Sequence, residues 1–97
     1  MRLEFHELVS RDISRIMDYY ERVAGSQLAD EFYAELKLYF CKAASSPDSY
    51  SVRERDLRRV NLKTFPYHFF FRLLDDTVRI LVVRHHRRHP AQNLQRR

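Results

Sequence analysis

The chain predicts an α+β fold. An N-terminal strand, an antiparallel two-helix hairpin and a three-stranded antiparallel segment form one twisted sheet, covered on one face by the helices. Three observations predict this. Apolar residues between positions 13 and 43 recur at helical spacing in two stretches, and the only glycine separates them. Between positions 57 and 83 the pattern changes to short β-prone runs divided by polar turns. Neither helical stripe can be buried by the other helix alone, so the later strands must supply the covering surface.

The elements follow in order. Leu3 and Phe5 alternate with Glu4 and His6, which predicts a short, half-buried opening strand. A first helix is expected from about Val9 to Ala24, with Ile13, Ile16, Met17, Tyr20, Val23 and Ala24 on one face. Gly25 suits a left-handed helix end, and Ser26 suits a cap for the next helix. That second helix runs from about Gln27 to Ala44, buries Leu28, Phe32, Leu36, Tyr39 and Ala43, and stops at Ser45-Ser46-Pro47-Asp48. Val60 and Leu62 in "LRRVNL" alternate as in a strand. "YHFFFRLL" (67–74) and "VRILVV" (78–83), joined by Asp75-Asp76-Thr77, predict a hairpin. The last run is apolar on both faces, with Val78, Ile80 and Val82 on one and Leu81 and Val83 on the other. It is expected inside the sheet rather than at its edge. The Phe69-Phe70-Phe71 run is read as core rather than as a base-stacking platform.

Ninety-seven residues with seven Phe and six Tyr are expected to form a single globular domain, residues 1–97, ending in a basic tail from 88 to 97. One cysteine, Cys41, cannot form an internal disulfide and is expected to be an inert, partly buried thiol. No signal-peptide pattern opens the chain and no apolar run reaches the ~18 residues of a membrane span, so a cytoplasmic protein without membrane contact is expected. Charge divides sharply. Residues 1–50 hold six Lys/Arg against nine Asp/Glu, and residues 51–97 hold twelve against four. A basic functional face on the second half is expected, suited to nucleic acid or to an acidic protein.

The chemistry concentrates in "VVRHHRRHP". Six ionisable side chains, Arg84 to His89, follow directly on a buried strand. His85, His86 and His89 do not predict a metal site: adjacent strand residues point to opposite faces, and no second cluster of Cys, Asp or Glu supports them. No cofactor is expected, since one glycine rules out a glycine-rich phosphate loop. Period-2 geometry places Arg84 and His86 on the face of Ile80 and Val82, and His68 and Arg72 on a common face of the preceding strand. If the two faces coincide, His68, Arg72, Arg84 and His86 form one basic patch. Such a patch could cleave RNA by attack of its own 2′-hydroxyl, with histidine moving protons and arginine holding phosphate. Alternatively, it is a charged strand end that blocks edge pairing. The helices hold more aromatics than a two-helix layer buries on one side. Tyr19 and Tyr33 are therefore expected on the surface, where a partner could use them.

In "DISRIMDYYE", "SQLADEFYAEL" and above all "RRVNLKTFPYHFFFRLLDDTVRILVVRHHRRHP", the chain resembles the RelE/ParE toxin superfamily of type II toxin–antitoxin systems, in its ParE-like branch. The resemblance covers essentially the whole chain and implies the fold already derived. It also implies a cognate antitoxin whose C-terminal segment wraps the toxin, a role in plasmid stabilisation, and contact with operator DNA only through the antitoxin. ParE-like members inhibit DNA gyrase; RelE-like members cut mRNA on the ribosome. For the ParE-like branch the resemblance implies target or antitoxin contacts at His68, Arg72, Arg84, His85, His86, Arg87, Arg88, Tyr19 and Tyr33. For the nuclease alternative it implies catalysis by His86, Arg88 and Arg84. That set is partial: His68 stands where RelE-like chains have a phosphate-holding arginine, and no tyrosine follows the last strand. A remnant that only binds its antitoxin is the third reading.

Overall fold

The computed structural model describes residues 1–88 and 93–97. Strand β1 (Arg2–Phe5) leads into α1 (Val9–Ala24) and α2 (Ser26–Ser45). A short 3₁₀ turn, Pro47–Ser49, precedes β2 (Val52–Glu54), β3 (Leu57–Asn61), β4 (Tyr67–Leu74) and β5 (Thr77–His85). The sheet order is β1-β5-β4-β3-β2. Strand β1 runs parallel to β5, and the other pairs are antiparallel. The helical hairpin is thus the crossover that returns the chain to the far side of the sheet.

The expected elements are present, with three differences. The antiparallel segment has four strands, not three. Val52, Arg53 and Glu54 are all exposed, so this edge strand has no apolar alternation for sequence reading to find. Its turn is tight, with Arg55 at φ 54°. Strand β5 continues two residues beyond Val83, because Arg84 and His85 pair with His68 and Tyr67 of β4. Finally, Val23 is exposed, whereas Val9 and Asp12 join Ile16 on the buried face of α1.

The helices cover one face of the sheet, where Phe32, Leu36 and Phe40 of α2 meet Val60, Phe69, Phe71, Val78, Ile80 and Val83. Strict alternation along β5 fails at Leu81. A register shift there pairs Phe70 with Val82 but Phe71 with Ile80. This β-bulge returns Ile80 and Val83 to the helix face and leaves Leu81 and Val82 on the other. Arg84 therefore shares a face with Val82 but not with Ile80, which corrects the period-2 expectation.

The tail from 88 to 97 is not simply a polar appendage. Leu94 is buried against Leu57, Phe70, Leu81 and Val82 on the face opposite the helices. Two residues on, Arg96 donates to both carboxylate oxygens of Asp12, at 2.7 and 3.1 Å, and to the Leu81 carbonyl at 3.0 Å. The nearer of these oxygens, Asp12 Oδ2, also accepts the Val83 N–H, at 3.1 Å. The reason lies in the sheet. Strand β1 ends at Phe5, opposite Ile80, so beyond that point β5 has no ladder partner on this side. The Asp12–Arg96 pair supplies the missing acceptor and donor.

Gly25 joins the helices at φ 96°, ψ 167°. This is not the left-handed helical conformation the sequence suggests but an extended region open essentially only to glycine. It is the cap residue shared by both helices, so Ser26 starts α2 instead of capping it. A Cβ at Gly25 would meet no atom within 4 Å. The cost of Gly25→Ala is therefore backbone strain alone, about 1–3 kcal/mol, read as a lower urea midpoint at unchanged m-value. A variant as stable as the parent would show that the hairpin re-forms around another turn.

Candidate functional site

The face opposite the helices carries a basic cluster at the ends of β3, β4 and β5. Cross-strand pairing sets His68 opposite Arg84 and, on the other side, opposite Asn61. Arg84 Nε donates to His68 Nε2 at 2.9 Å, and the His68 and His86 rings lie edge to edge, with centres 5.1 Å apart and planes 7° from parallel. His68 Nδ1 and His86 Nδ1 are 2.9 Å apart, and an Arg59 guanidinium nitrogen lies 3.4 Å from the same His86 nitrogen. Arg84 also lies over the Phe70 ring, 5.0 Å from its centre. Backbone pairing thus fixes two members, and the turn after β5 brings in the third: His86 N–H donates to the Pro66 carbonyl at 3.0 Å.

These contacts determine where the protons sit. Arginine can only donate, so His68 Nε2 must accept. A neutral His68 then carries its hydrogen on Nδ1 and donates it to His86 Nδ1. His86 in turn carries its hydrogen on Nε2. Protonating His86 would set two N–H groups against each other. Burial, reinforced by Arg59 and Arg84, drives the His68 pKa down to about 3. Partial burial and Arg59 lower that of His86. Both rings are neutral at pH 7, and His86 offers an outward N–H donor rather than a base.

Of the residues expected in the patch, the fold brings His68, Arg84 and His86 together. Arg72 shares the face but pairs with Asp56 at 2.7 Å, four residues along β4. His85 lies on the opposite side, 5.0 Å from the Tyr67 ring in an edge contact. With Arg88 and Tyr19 it lines a separate cleft against α1. Arg87 is exposed, and its backbone N–H caps His85 Nδ1 at 3.0 Å. Tyr33 and Tyr19 are both exposed, as expected, but belong to different surfaces. Tyr33 lines an apolar groove of about 580 Å³ with Phe5, Phe40 and Lys37. Cys41 lines that groove too and is exposed, not partly buried as the sequence suggests.

Sequence reasoning missed Arg59 and Asp12. Arg59 belongs to an arginine-rich run in which nothing marks one member over its neighbours; only β3–β4 pairing selects it. Asp12 did carry a signal, because it occupies the position between Val9 and Ile16 on the buried stripe of α1. Among the described residues no group of three or more His, Cys, Asp or Glu could hold a metal ion. His89, part of the histidine set weighed for a metal, lies outside those residues. No helix of the described residues is long and apolar enough to cross a membrane.

A family model described as "ParE toxin of type II toxin-antitoxin system, parDE" matches residues 3–90. No curated protein is significantly similar in sequence. Among solved structures, the fold is similar to the chromosomal ParDE toxin–antitoxin system of P. aeruginosa (TM-score 0.79, 18% identity, 88% of this chain and 95% of that one). It is also similar to the isolated E. coli RelE toxin (0.61, 19%, 92% and 87%). A third similar structure is the intact E. coli RelBE toxin–antitoxin complex (0.57, 20%, 84% and 92%).

Proposed function

As the chain belongs to the ParE toxin family of type II toxin–antitoxin systems, we propose that it arrests growth by binding DNA gyrase. A cognate antitoxin neutralises it, and the antitoxin's C-terminal segment orders as it wraps the toxin. The observation that carries binding over cleavage is the proton order Arg84 to His68 to His86. RNA cleavage by the 2′-hydroxyl needs a base beside the phosphate-holding cations. Here the one unprotonated nitrogen of each ring already accepts a hydrogen bond within the cluster.

One observation favours the RelE-like reading: Arg59 and Arg84 stand beside two imidazoles on an otherwise basic face. Under it, His86 serves as base or acid with Arg59 and Arg84 on phosphate, Arg88 lining the separate cleft against α1, and the ribosome supplies the rest of the site. The two readings separate in one induction experiment. The chain is expressed without antitoxin, plasmid supercoiling is assayed, and mRNA 5′ ends are mapped on ribosomes. Relaxed plasmid, a DNA-damage response and intact mRNA are expected. In-frame mRNA cuts would overturn the gyrase reading, and His86→Ala should then lower cleavage by roughly 10²–10⁴-fold. Normal growth with neither change would also count against it.

A further inference from the structure

Between α1 and the C-terminal end of β5 lies a cleft of about 320 Å³, which borders the histidine cluster through Arg84 but contains neither His68 nor His86 among its described lining residues. Most of its polar groups are cations or hydrogen-bond donors. Arg15 reaches it from α1 and Arg88 from the turn after β5. Among the described residues neither side chain has an ion-pair partner. His85 Nδ1 accepts the Arg87 N–H, so the neutral ring keeps its hydrogen on Nε2 and can only donate from there. Tyr19, 47% exposed, adds a hydroxyl and an apolar wall, and Tyr67 closes the floor. Asp12, the one carboxylate among the described lining residues, is already bound through both oxygens by Arg96. Apart from the Arg96-bound Asp12 and the Asn93 amide, the described side chains lining the cleft offer mainly donors and positive charge.

We propose that this cleft receives a carboxylate side chain of an acidic peptide segment from a partner protein, an assignment that rests on the protein-binding reading of the chain. Guanidinium groups bind carboxylate in planar, two-pronged geometry, and the tyrosine faces pack the methylenes beside it. The volume, at the low end of ligand pockets, fits one side chain and its backbone. A nucleic-acid strand carries phosphates along its whole length and would have to cross the neighbouring helical surface. On α1 that surface mixes Asp18 and Glu21 with Arg11 and Arg22, so it offers a polyanion no continuous basic track, whereas a short segment with a few acidic residues needs only the cleft itself.

The test uses the full chain with hexaglutamate, hexalysine and a twelve-nucleotide oligothymidylate as probes, followed by ¹H–¹⁵N NMR and calorimetry. Hexaglutamate is expected to bind and to shift the resonances of Arg15, Tyr19, His85 and Arg88. The double variant Arg15→Gln/Arg88→Gln should bind it at least tenfold more weakly. Arg53→Gln/Arg55→Gln removes the same charge from the exposed β2 turn and should bind within twofold of the parent. All four arginines are exposed, so thermal melts should coincide and exclude misfolding as the cause. Failure of hexaglutamate to bind overturns the proposal, as does equal weakening by both double variants. Oligothymidylate shifting the same four residues more strongly overturns it in favour of nucleic acid. Gyrase inhibition is scored separately: hexaglutamate binding without it leaves the cleft assignment standing, while inhibition without binding removes the assignment alone.

Discussion

Asp12→Ala is expected to destabilise the chain by about 3–5 kcal/mol, the usual cost of removing one partner from a buried ion pair. Both side chains are nearly inaccessible, at 8% for Asp12 and 10% for Arg96. The substitution leaves the Arg96 charge without its counter-ion and the Val83 N–H without an acceptor. It also loosens the arginine that caps the Leu81 carbonyl and anchors the segment carrying Leu94. Urea unfolding measures the loss. The double variant Asp12→Leu/Arg96→Met separates charge from packing, and its loss should be well below the sum of the two single losses, since apolar replacement of a whole buried pair is often neutral. A single variant within 1 kcal/mol of the parent would mean that the tail detaches at little cost.

The second large effect is acid destabilisation through His68. Its pKa is about 3 in the folded chain against 6.5 for the ordinary side chain. Between those values the unfolded chain binds a proton that the folded chain does not, so lowering the pH favours unfolding. The stability is fully present above about pH 6.5 and is lost progressively as the pH falls towards 3. His68 is 1% exposed, and at about 1.4 kcal/mol per pKa unit the loss is on the order of 5 kcal/mol. His86 contributes in the same direction. In His68→Gln the amide oxygen can still accept from Arg84, but the titrating group is gone. Its stability curve should be distinctly flatter than the parent's between pH 6.5 and 3. Parallel curves for the two proteins would show that His68 protonates without cost and that the relay is not held in place.

The two effects share an origin. Both lie where the ladder stops serving the backbone or side chains of β5: on one side β1 has ended, and at the far end the strand delivers ionisable residues from a buried run. Asp12 and Arg96 close the first gap. His68, Arg84 and His86 satisfy one another at the second. Loss of either arrangement should unfold the sheet from this end, with β3 and β4 retained longest. Hydrogen exchange would resolve that order.

The sequence by itself determined the elements and the layering. Helical spacing, the lone glycine and the alternating runs set two helices against a sheet, because each apolar stripe has to be buried and only one partner surface was available. It also determined that charge gathers at the end of the last strand. Which charges act together was decided by tertiary structure. A single bulge at Leu81 changes the face of every residue before it, and no local signal marks it. Cross-strand pairing chose Arg59 from a run of arginines, tied Arg72 to Asp56, and set His85 and His86 on opposite faces. The tail became part of the fold through Leu94 and Arg96, contacts separated by up to 84 positions in the chain. Periodicity reports what each residue does within its own turn or strand. A site assembled from three strands, a helix and the chain's end depends on register and closure, which exist only once the sheet has formed.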